Sequence, residues 1–366
     1  MKRLIAALCM LCIAAETYAI KPELHAPIEL MSILCNISGY EEYNHGYGRE
    51  YCDEVTEWFA PYKNHRAVGM MQQLRDSNGV GYDAPMSLAL YLRLLPDGGV
   101  EYAGDEHSLD ERFEGVDIEA VTGAVSEFAR ESRFKEFFEA HRPFYDDICR
   151  QFTESVLPRF NEKWYGEFYG TEADETFRIA IGFLNGGNNY GPKRTLPGQK
   201  SEVFAIMGYV KRSDDGRTSY VAQPDIYLNI LVHEFNHSFI NHLIGEGTDL
   251  REKMRHAGEG LFDLCSQIMG WQAYDNWATV VNESLVRAAV ICYLIDNGAP
   301  AQSVREAVLD EIRVGFVWTP ELVGKLRQYQ RQRDLYPTFE SYYPQIIDLF
   351  ESYVAARRTA IDAAVM

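Results

Sequence analysis

The chain has 366 residues, of which 46% are hydrophobic and 24% are charged, and this suits one large globular domain or two ordinary ones. This composition excludes collagen-like, coiled-coil and low-complexity chains. The 54 acidic residues outnumber the 35 basic ones and give a formal net charge of -19, which argues against nucleic acid as a partner because it repels a phosphate backbone.

The first 19 residues have the pattern of a secretory signal peptide. Lys2 and Arg3 precede an apolar run over 4–15, and Thr17 and Ala19 supply the small residues that a cleavage site requires. The apolar run is shorter than the ~20 residues that span a bilayer. We therefore predict cleavage near Ala19, a secreted or periplasmic location, and no stable membrane insertion of the mature chain.

The cysteines do not indicate a disulfide-rich scaffold or a thiolate metal site. Two of the seven lie in the predicted signal, and the mature chain keeps Cys35, Cys52, Cys149, Cys265 and Cys292 without a CxxC pair. Cys35 and Cys52, the closest pair in the amino-terminal half, are our candidates for a disulfide. Cys265 and Cys292 fall in predicted helices, where buried free thiols are the commoner outcome.

Residues 20–172 are predicted to form a mostly helical amino-terminal region. Apolar residues recur at helical spacing over 118–133 and 134–160, with charged residues on the opposite face. An apolar helix is predicted over 86–95, between turn signals at 76–79 and 97–99. No strong chemical motif occurs in this region.

From residue 173 onward the pattern changes, and 173–366 is predicted as a second region. Buried strands are expected at 177–184 and 202–211, and a turn at 213–216 leads into a third strand at 217–222. We expect a small antiparallel sheet in which 202–211 is the edge strand, available to an extended peptide. The predicted fold class is α+β, mostly helical, with this sheet packed on an active-site helix between helical terminal regions.

The loop between the first two of these strands is rich in glycine and asparagine. Its residues 185–192 either border a cleft, where glycine permits close approach of the backbone, or form a plain long hairpin loop. Under the first interpretation, Asn189 and Tyr190 are candidates for substrate binding.

The strongest motif lies on the helix predicted after the sheet, where residues 233–237 read HEFNH. Residues four apart share one helical face, so His233 and His237 can direct two imidazoles at one ion. Glu234 lies beside that ion and can accept a proton from a water molecule that the ion activates. Two imidazoles and a carboxylate favour one Zn²⁺ in an open tetrahedral site.

A catalytic zinc site needs a third protein ligand. The metzincin class is excluded, because Ile240 and Leu243 occupy the positions where that class has glycine and histidine. Two glutamates compete: Glu259, which Asp263 follows at a spacing of four, and Glu283. We prefer Glu283, because it stands on an apolar predicted helix, where a buried carboxylate is costly unless a cation meets it.

Two residues near Glu283 are candidates for supporting roles in catalysis. Arg287, one helical turn away, either steadies Glu283 in a salt bridge or binds a substrate carboxylate or oxyanion. Tyr274 either donates a hydrogen bond to a tetrahedral intermediate or packs within its aromatic segment. Asn241 and Asp263 are candidates for orienting a ligand imidazole.

The HExxH residues 233–237 and the segment Asn282-Glu283-Ser284-Leu285 together resemble the gluzincin type of zinc metallopeptidase. With Tyr274 to Trp277 and the run on to Ala288, they also resemble a family of secreted bacterial proteins known only as a domain of unknown function. The resemblance implies zinc at His233, His237 and Glu283, with Glu234 as base. This sequence departs from the better-known gluzincins at Arg287, a position where they often have aspartate.

The sequence therefore predicts a secreted zinc-dependent hydrolase, most simply a metallopeptidase that acts on a peptide or protein substrate. The alternative is a catalytically silent, zinc-binding, peptidase-like module that binds a protein or glycan. The two differ in whether Glu234 is required, since only the hydrolase needs a general base.

Overall fold

The computed structural model describes residues 20–105, 108–211, 217–272 and 274–365. The predicted signal peptide at 1–19 and the predicted turn at 213–216 lie outside the described residues. The fold is α+β and mostly helical, as predicted, with 64% of the chain in helices.

The helices follow one another through most of the described chain. They are α1 (Ala26–Ile37), α2 (Arg49–Phe59), α3 (Arg66–Asn78), α4 (Ala84–Leu90), α5 (Ile118–Glu131), α6 (Phe134–Ala140), α7 (Arg142–Ser155), α8 (Lys163–Tyr169), α9 (Ser219–Ala222), α10 (Pro224–Ile240), α11 (Asp249–Gly270), α12 (Trp277–Asp296), α13 (Ala301–Arg313), α14 (Thr319–Arg331) and α15 (Phe339–Val365). The carboxy-terminal region is helical, as predicted.

The strands form two small sheets. They are β1 (Pro22–Glu23), β2 (Leu92–Leu94), β3 (Val100–Tyr102), β4 (Thr176–Gly182), β5 (Lys193–Arg194) and β6 (Glu202–Gly208). The larger sheet has the order β1-β4-β6-β5, and β2 pairs with β3 in the other. Strand β1 comes from the amino-terminal region and β4 from the second, so the two regions share one sheet. The boundary near residue 172 stays a sequence prediction.

The predicted antiparallel pairing of the two main strands is wrong, because β4 and β6 run parallel. The intervening loop contains a return segment: Tyr190 bridges Ile206 and β5 pairs with β6, both in the antiparallel sense. The chain reverses direction once to enter the return segment and a second time to enter β6. Strand β6 therefore runs in the same direction as β4. For the same reason β6 has neighbours on both sides and is not the predicted edge strand.

Two further local predictions are wrong. Residues 86–95 do not form one helix: α4 ends at Leu90, and β2 follows it and pairs with β3 across the turn at 97–99. The predicted third strand at 217–222 contains the short helix α9 instead, and Thr218 makes only an isolated bridge to Lys211. The Tyr220 hydroxyl donates to the Gly208 carbonyl oxygen at 2.6 Å, which holds this turn against β6.

The predicted disulfide between Cys35 and Cys52 is also wrong, because both thiols are free. Cys35 is fully enclosed in the core on α1, whereas Cys52 lies half-buried on α2. Cys265 and Cys292 are buried free thiols in helices, as predicted.

The helix that carries the HExxH motif, α10, is held from behind by aromatic packing. Phe235 stacks on Phe177 of β4 with ring centroids 4.3 Å apart, and Phe239 stacks on Tyr169 of α8 at 4.4 Å. Such pairs stabilise beyond their buried area. Residues 233, 234 and 237 lie on the other side of the helix, which fixes the direction in which the motif points.

The helix α12 lies next to α10 and is the most apolar long helix of the described residues. Its length and hydropathy suit a membrane span, but 67% of its most apolar window is buried inside the protein. The Asn276 side chain caps its start by accepting from the Thr279 backbone N–H at 2.9 Å. We therefore interpret α12 as a core helix that faces α10.

Candidate metal centre

Three side chains from α10 and α12 meet in the geometry of a metal site. The Nε2 atoms of His233 and His237 are 3.2 Å apart. Glu283 Oε2 lies 3.6 Å from His233 Nε2, and Glu283 Oε1 lies 3.4 Å from His237 Nε2. One ligand atom from each residue can be chosen so that all three lie within 4.8 Å of one another.

These distances fit a tetrahedral zinc ion. In a tetrahedron with metal–ligand distances of about 2.0–2.1 Å, ligand atoms are about 3.3–3.4 Å apart. The 3.2 Å between the two Nε2 atoms and the 3.4 Å from His237 Nε2 to Glu283 Oε1 lie close to that value, whereas the 3.6 Å from His233 Nε2 is to the other carboxylate oxygen, Oε2. Two imidazoles and one carboxylate are also the donor set of open zinc sites, in which water takes the fourth position.

Glu259, the rival third ligand, lies elsewhere. It is exposed on α11 and does not belong to the cluster of potential ligands. Glu283, by contrast, is 8% exposed. The preference for Glu283 that burial suggested at the sequence level agrees with this geometry.

The protonation states favour metal binding. Burial lowers the pKa of His233 to about 3, so this imidazole is neutral at physiological pH and can act as a ligand. Burial alone would raise the pKa of Glu283, but nearby positive charge, including that of Arg287, and a hydrogen bond from Tyr274 hold it below its ordinary value. The Glu283 carboxylate is therefore an anion within a largely buried site.

Tyr274 and Arg287 both act on Glu283. The Tyr274 hydroxyl donates to Glu283 Oε2 at 3.0 Å, and Arg287 Nε donates to the same oxygen at 3.2 Å. Arg287 Nη2 also donates to the Tyr274 hydroxyl at 3.1 Å. Because both residues use Oε2, the other oxygen, Oε1, remains available to a metal. These contacts favour the salt-bridge interpretation of Arg287, and they give Tyr274 a hydrogen bond to Glu283 that neither interpretation of Tyr274 included.

A second carboxylate completes this network. Arg287 Nη1 donates to Glu311 Oε2 on α13 at 3.0 Å. Burial alone would lower the pKa of Arg287, but Glu283 and Glu311 raise it above its ordinary value. Glu311 was missed at the sequence level, because α13 has an ordinary amphipathic pattern and no motif marks this position.

One ligand imidazole has an orienting partner. His237 Nδ1 lies 3.0 Å from Asn241 Oδ1, so an Nδ1–H tautomer donates there and leaves Nε2 free for a metal. Asp263, the other candidate for this role, pairs with Arg358 at the surface. Asn241 is therefore the residue that orients an imidazole.

Glu234 stands beside the three ligands without binding any of them. No hydrogen bond or ion pair joins its carboxylate to another described residue. Burial raises its pKa to about 7, with His237 opposing the rise and Glu283 adding to it. A bound dication would lower this pKa and favour the ionised form that accepts a proton.

A cleft of about 420 Å³ opens beside His233 and Glu234. Its walls come from the loop at 187–189 and from α10, α12 and α13. Asn189 lines this cleft, as the first interpretation of the 185–192 loop requires, and its Oδ1 accepts from the Gly208 backbone N–H at 3.0 Å. Tyr190 is 7% exposed and packs on Tyr43, so it holds the loop rather than lining the cleft.

A larger cavity, of about 1240 Å³, lies between β3 and α5. Acidic side chains such as Glu101, Glu114 and Glu127 line it, and the described residues around it supply no imidazole or thiol. The smaller cleft beside the three ligands is therefore the better candidate for a functional site.

Comparison with known proteins adds a family but no function. Residues 20–349 match a family described as "Domain of unknown function (DUF4932)". No curated protein and no solved structure matches the chain.

Proposed function

The chain belongs to the DUF4932 family of unknown function, and on this premise we propose that it is a zinc-dependent hydrolase, most simply a metallopeptidase. One observation carries the proposal. The Nε2 atoms of two imidazoles and the oxygens of a buried carboxylate lie 3.2–3.6 Å from one another, beside Glu234, which borders a cleft and pairs with no other described residue. The sequence at 1–19 supports export, and we propose that the protein acts outside the cytoplasm.

His233, His237 and Glu283 would hold the zinc ion. When bound, zinc supplies a Lewis acid that polarises a substrate carbonyl and makes water more acidic. Three protein ligands leave a fourth position open, which distinguishes a catalytic zinc site from a closed structural one.

Glu234 has the role of general base. Its carboxylate, which no other described residue engages, accepts a proton from the attacking water and returns it to the leaving amine. Tyr274 and Arg287 act indirectly, because their hydrogen bonds to Oε2 hold Glu283 in the orientation that a metal ligand needs. Cleavage of a peptide bond by water balances as follows. The water oxygen bonds to the carbonyl carbon, the C–N bond breaks, one water proton passes through Glu234 to the amine nitrogen, and the other leaves with the new carboxyl group.

The proposal is tested with the variant Glu234→Gln in the mature chain. We expect one zinc per chain in both proteins, measured by mass spectrometry of the metal, because Glu234 is not a ligand. We expect hydrolysis of an unstructured protein such as casein to fall by about a hundredfold or more in the variant, since general-base catalysis contributes ~10²–10⁴-fold.

An exposed histidine provides the control. His256 on α11 is exposed and does not belong to the ligand cluster, so His256→Ala should keep both zinc and activity. A zinc-free parent, or a Glu234→Gln variant as active as the parent, would contradict the proposal. Zinc at full occupancy with no hydrolysis of any peptide or protein would instead support the silent binding module.

A further inference from the structure

The general-base candidate lies against a glycine of the loop that follows β4. A Cβ atom added to Gly191 would lie 2.4 Å from Glu234 Oε2 and 3.6 Å from its Cδ. Carbon and oxygen atoms that are not bonded to each other do not approach so closely. The carboxylate therefore occupies space that exists only because residue 191 has no side chain.

The loop cannot easily retreat from Glu234, because hydrogen bonds fix it to the sheet on both sides of Gly191. Before it, the backbones of Tyr190 and Ile206 exchange two bonds of 3.1 and 2.8 Å. After it, the Phe204 N–H donates to the Pro192 carbonyl oxygen at 3.0 Å. Since β6 is itself held between β4 and the return segment, moving the loop would break sheet pairing.

Glu234 cannot retreat by moving its backbone either. It lies in the middle of α10, between Val232 and Phe235, which are fully buried. A collision at Gly191 must therefore be relieved by the Glu234 side chain, which has no hydrogen bond to hold it in place.

We propose that Gly191 is the positioning residue for Glu234. Because Gly191 has no side chain, the general-base carboxylate can pack against its α-carbon, and this contact sets the position of the carboxylate beside the three proposed metal ligands. The inference rests on the proposed function for the role of Glu234, but the steric relation is independent of it. A misplacement of about 1 Å in a catalytic group costs about a hundredfold in rate, because reacting atoms must be aligned before reaction.

The test substitutes Gly191→Ala in the mature, zinc-loaded chain. We expect zinc stoichiometry to stay at one per chain, the crystal structure to show the Glu234 carboxylate displaced by about 1 Å or more, and kcat for casein hydrolysis to fall at least tenfold, with a smaller change in KM. Gly69→Ala is the control. Gly69 is exposed on α3 and an added Cβ meets nothing within 4 Å, so this variant should retain full activity.

A second variant separates positioning from general damage. Glu234→Asp shortens the side chain and withdraws the carboxylate from Gly191. In this background Gly191→Ala should lower kcat by less than threefold. The loss of kcat that Gly191→Ala causes should therefore be smaller with Asp at position 234 than with Glu, which is a non-additive effect. If Gly191→Ala alone does not fold, the double variant should fold, because the space for the methyl group is restored.

Several results would overturn the inference. These are an unmoved Glu234 carboxylate in the Gly191→Ala crystal structure, full activity of that variant, equal losses in both backgrounds, or a double variant that also fails to fold. If the parent hydrolyses nothing, the proposed function fails, but the crystallographic displacement still decides whether Gly191 positions Glu234.

Discussion

At the scale of single residues, burial decides which carboxylate can complete the metal site. Glu259 and Glu283 both lie downstream of HExxH at plausible distances, but only Glu283 is buried and within 3.6 Å of an imidazole. An anion in such a place is stabilised by neighbouring positive charge, and a divalent cation supplies more of it than Arg287 alone.

This contrast gives a prediction for zinc affinity. Glu283→Gln should weaken zinc binding by about a hundredfold or more, because it removes both a ligand and the negative charge of the site. Glu259→Gln should leave the affinity unchanged, since this side chain is exposed and outside the cluster. Competition with a zinc chelator measures both. Equal losses, or a larger loss for Glu259→Gln, would contradict the assignment of the third ligand.

The site residues that could be predicted from the sequence are marked by a local pattern, whereas those that could not be predicted are brought to the site only by the fold. His233, His237 and Glu234 follow from the periodicity of one helix, and Glu283 from the cost of a carboxylate on an apolar helix. Glu311 comes from another helix with no motif. Gly191 lies in the loop where close backbone approach was expected, but its relation to Glu234 could not be found, because only the fold brings Glu234 Oε2 to 2.4 Å from where a Cβ of residue 191 would lie.

At the scale of elements, helix predictions succeeded where the apolar period was long, as in α10 and α12. The sheet was harder. Both main strands were found, but their direction depended on β5 and the Tyr190 bridge, which are too short to give a pattern in the sequence. The reversal inside the loop turned an expected hairpin into a parallel pair. It also brought Gly191 against α10, the helix that carries the HExxH motif.

A buried hydrogen-bond network joins three helices of the amino-terminal region. Glu29 on α1 accepts from the Tyr51 hydroxyl on α2 at 2.5 Å, and that hydroxyl lies 2.8 Å from the Tyr145 hydroxyl on α7. Glu29 is 1% exposed. Burial raises its pKa from 4.5 to about 7, against the opposing effect of the Tyr51 hydrogen bond.

This network predicts a pH dependence of stability. The folded protein holds the Glu29 proton more tightly than the unfolded chain does. The contribution of Glu29 to the free energy of unfolding is therefore fully present below pH 4.5 and is lost as pH rises towards 7. The loss is on the order of 3 kcal/mol, at about 1.4 kcal/mol per pKa unit. Glu29→Gln should remove this part of the slope, measured as the difference between denaturant-unfolding curves of parent and variant across that range.

An exposed glutamate provides the control for that comparison. Glu119→Gln removes a carboxylate at an exposed position of α5 and should leave the pH slope of the parent intact. Identical slopes in the parent and in Glu29→Gln would show that Glu29 does not hold its proton in the folded state.

At the scale of the whole molecule, composition set useful limits but did not identify the site. The net charge of -19 argued against nucleic acid as a partner. Aromatic residues make up 13% of the chain, and many of them pack in the core. Phe177 and Tyr169 stack on Phe235 and Phe239 of α10, and the Tyr169–Phe239 contact crosses the predicted boundary near residue 172. Both regions of the chain therefore support the helix that carries the motif.

The central claim is that one zinc ion binds His233, His237 and Glu283 and leaves a position open. The most direct test is anomalous diffraction at the zinc edge from crystals of the purified mature chain. We predict a single strong peak about 2.0–2.2 Å from both Nε2 atoms and from Glu283 Oε1, with a fourth ligand that is not a protein atom. Absence of a peak at this site, or a peak with four protein ligands, would contradict the account.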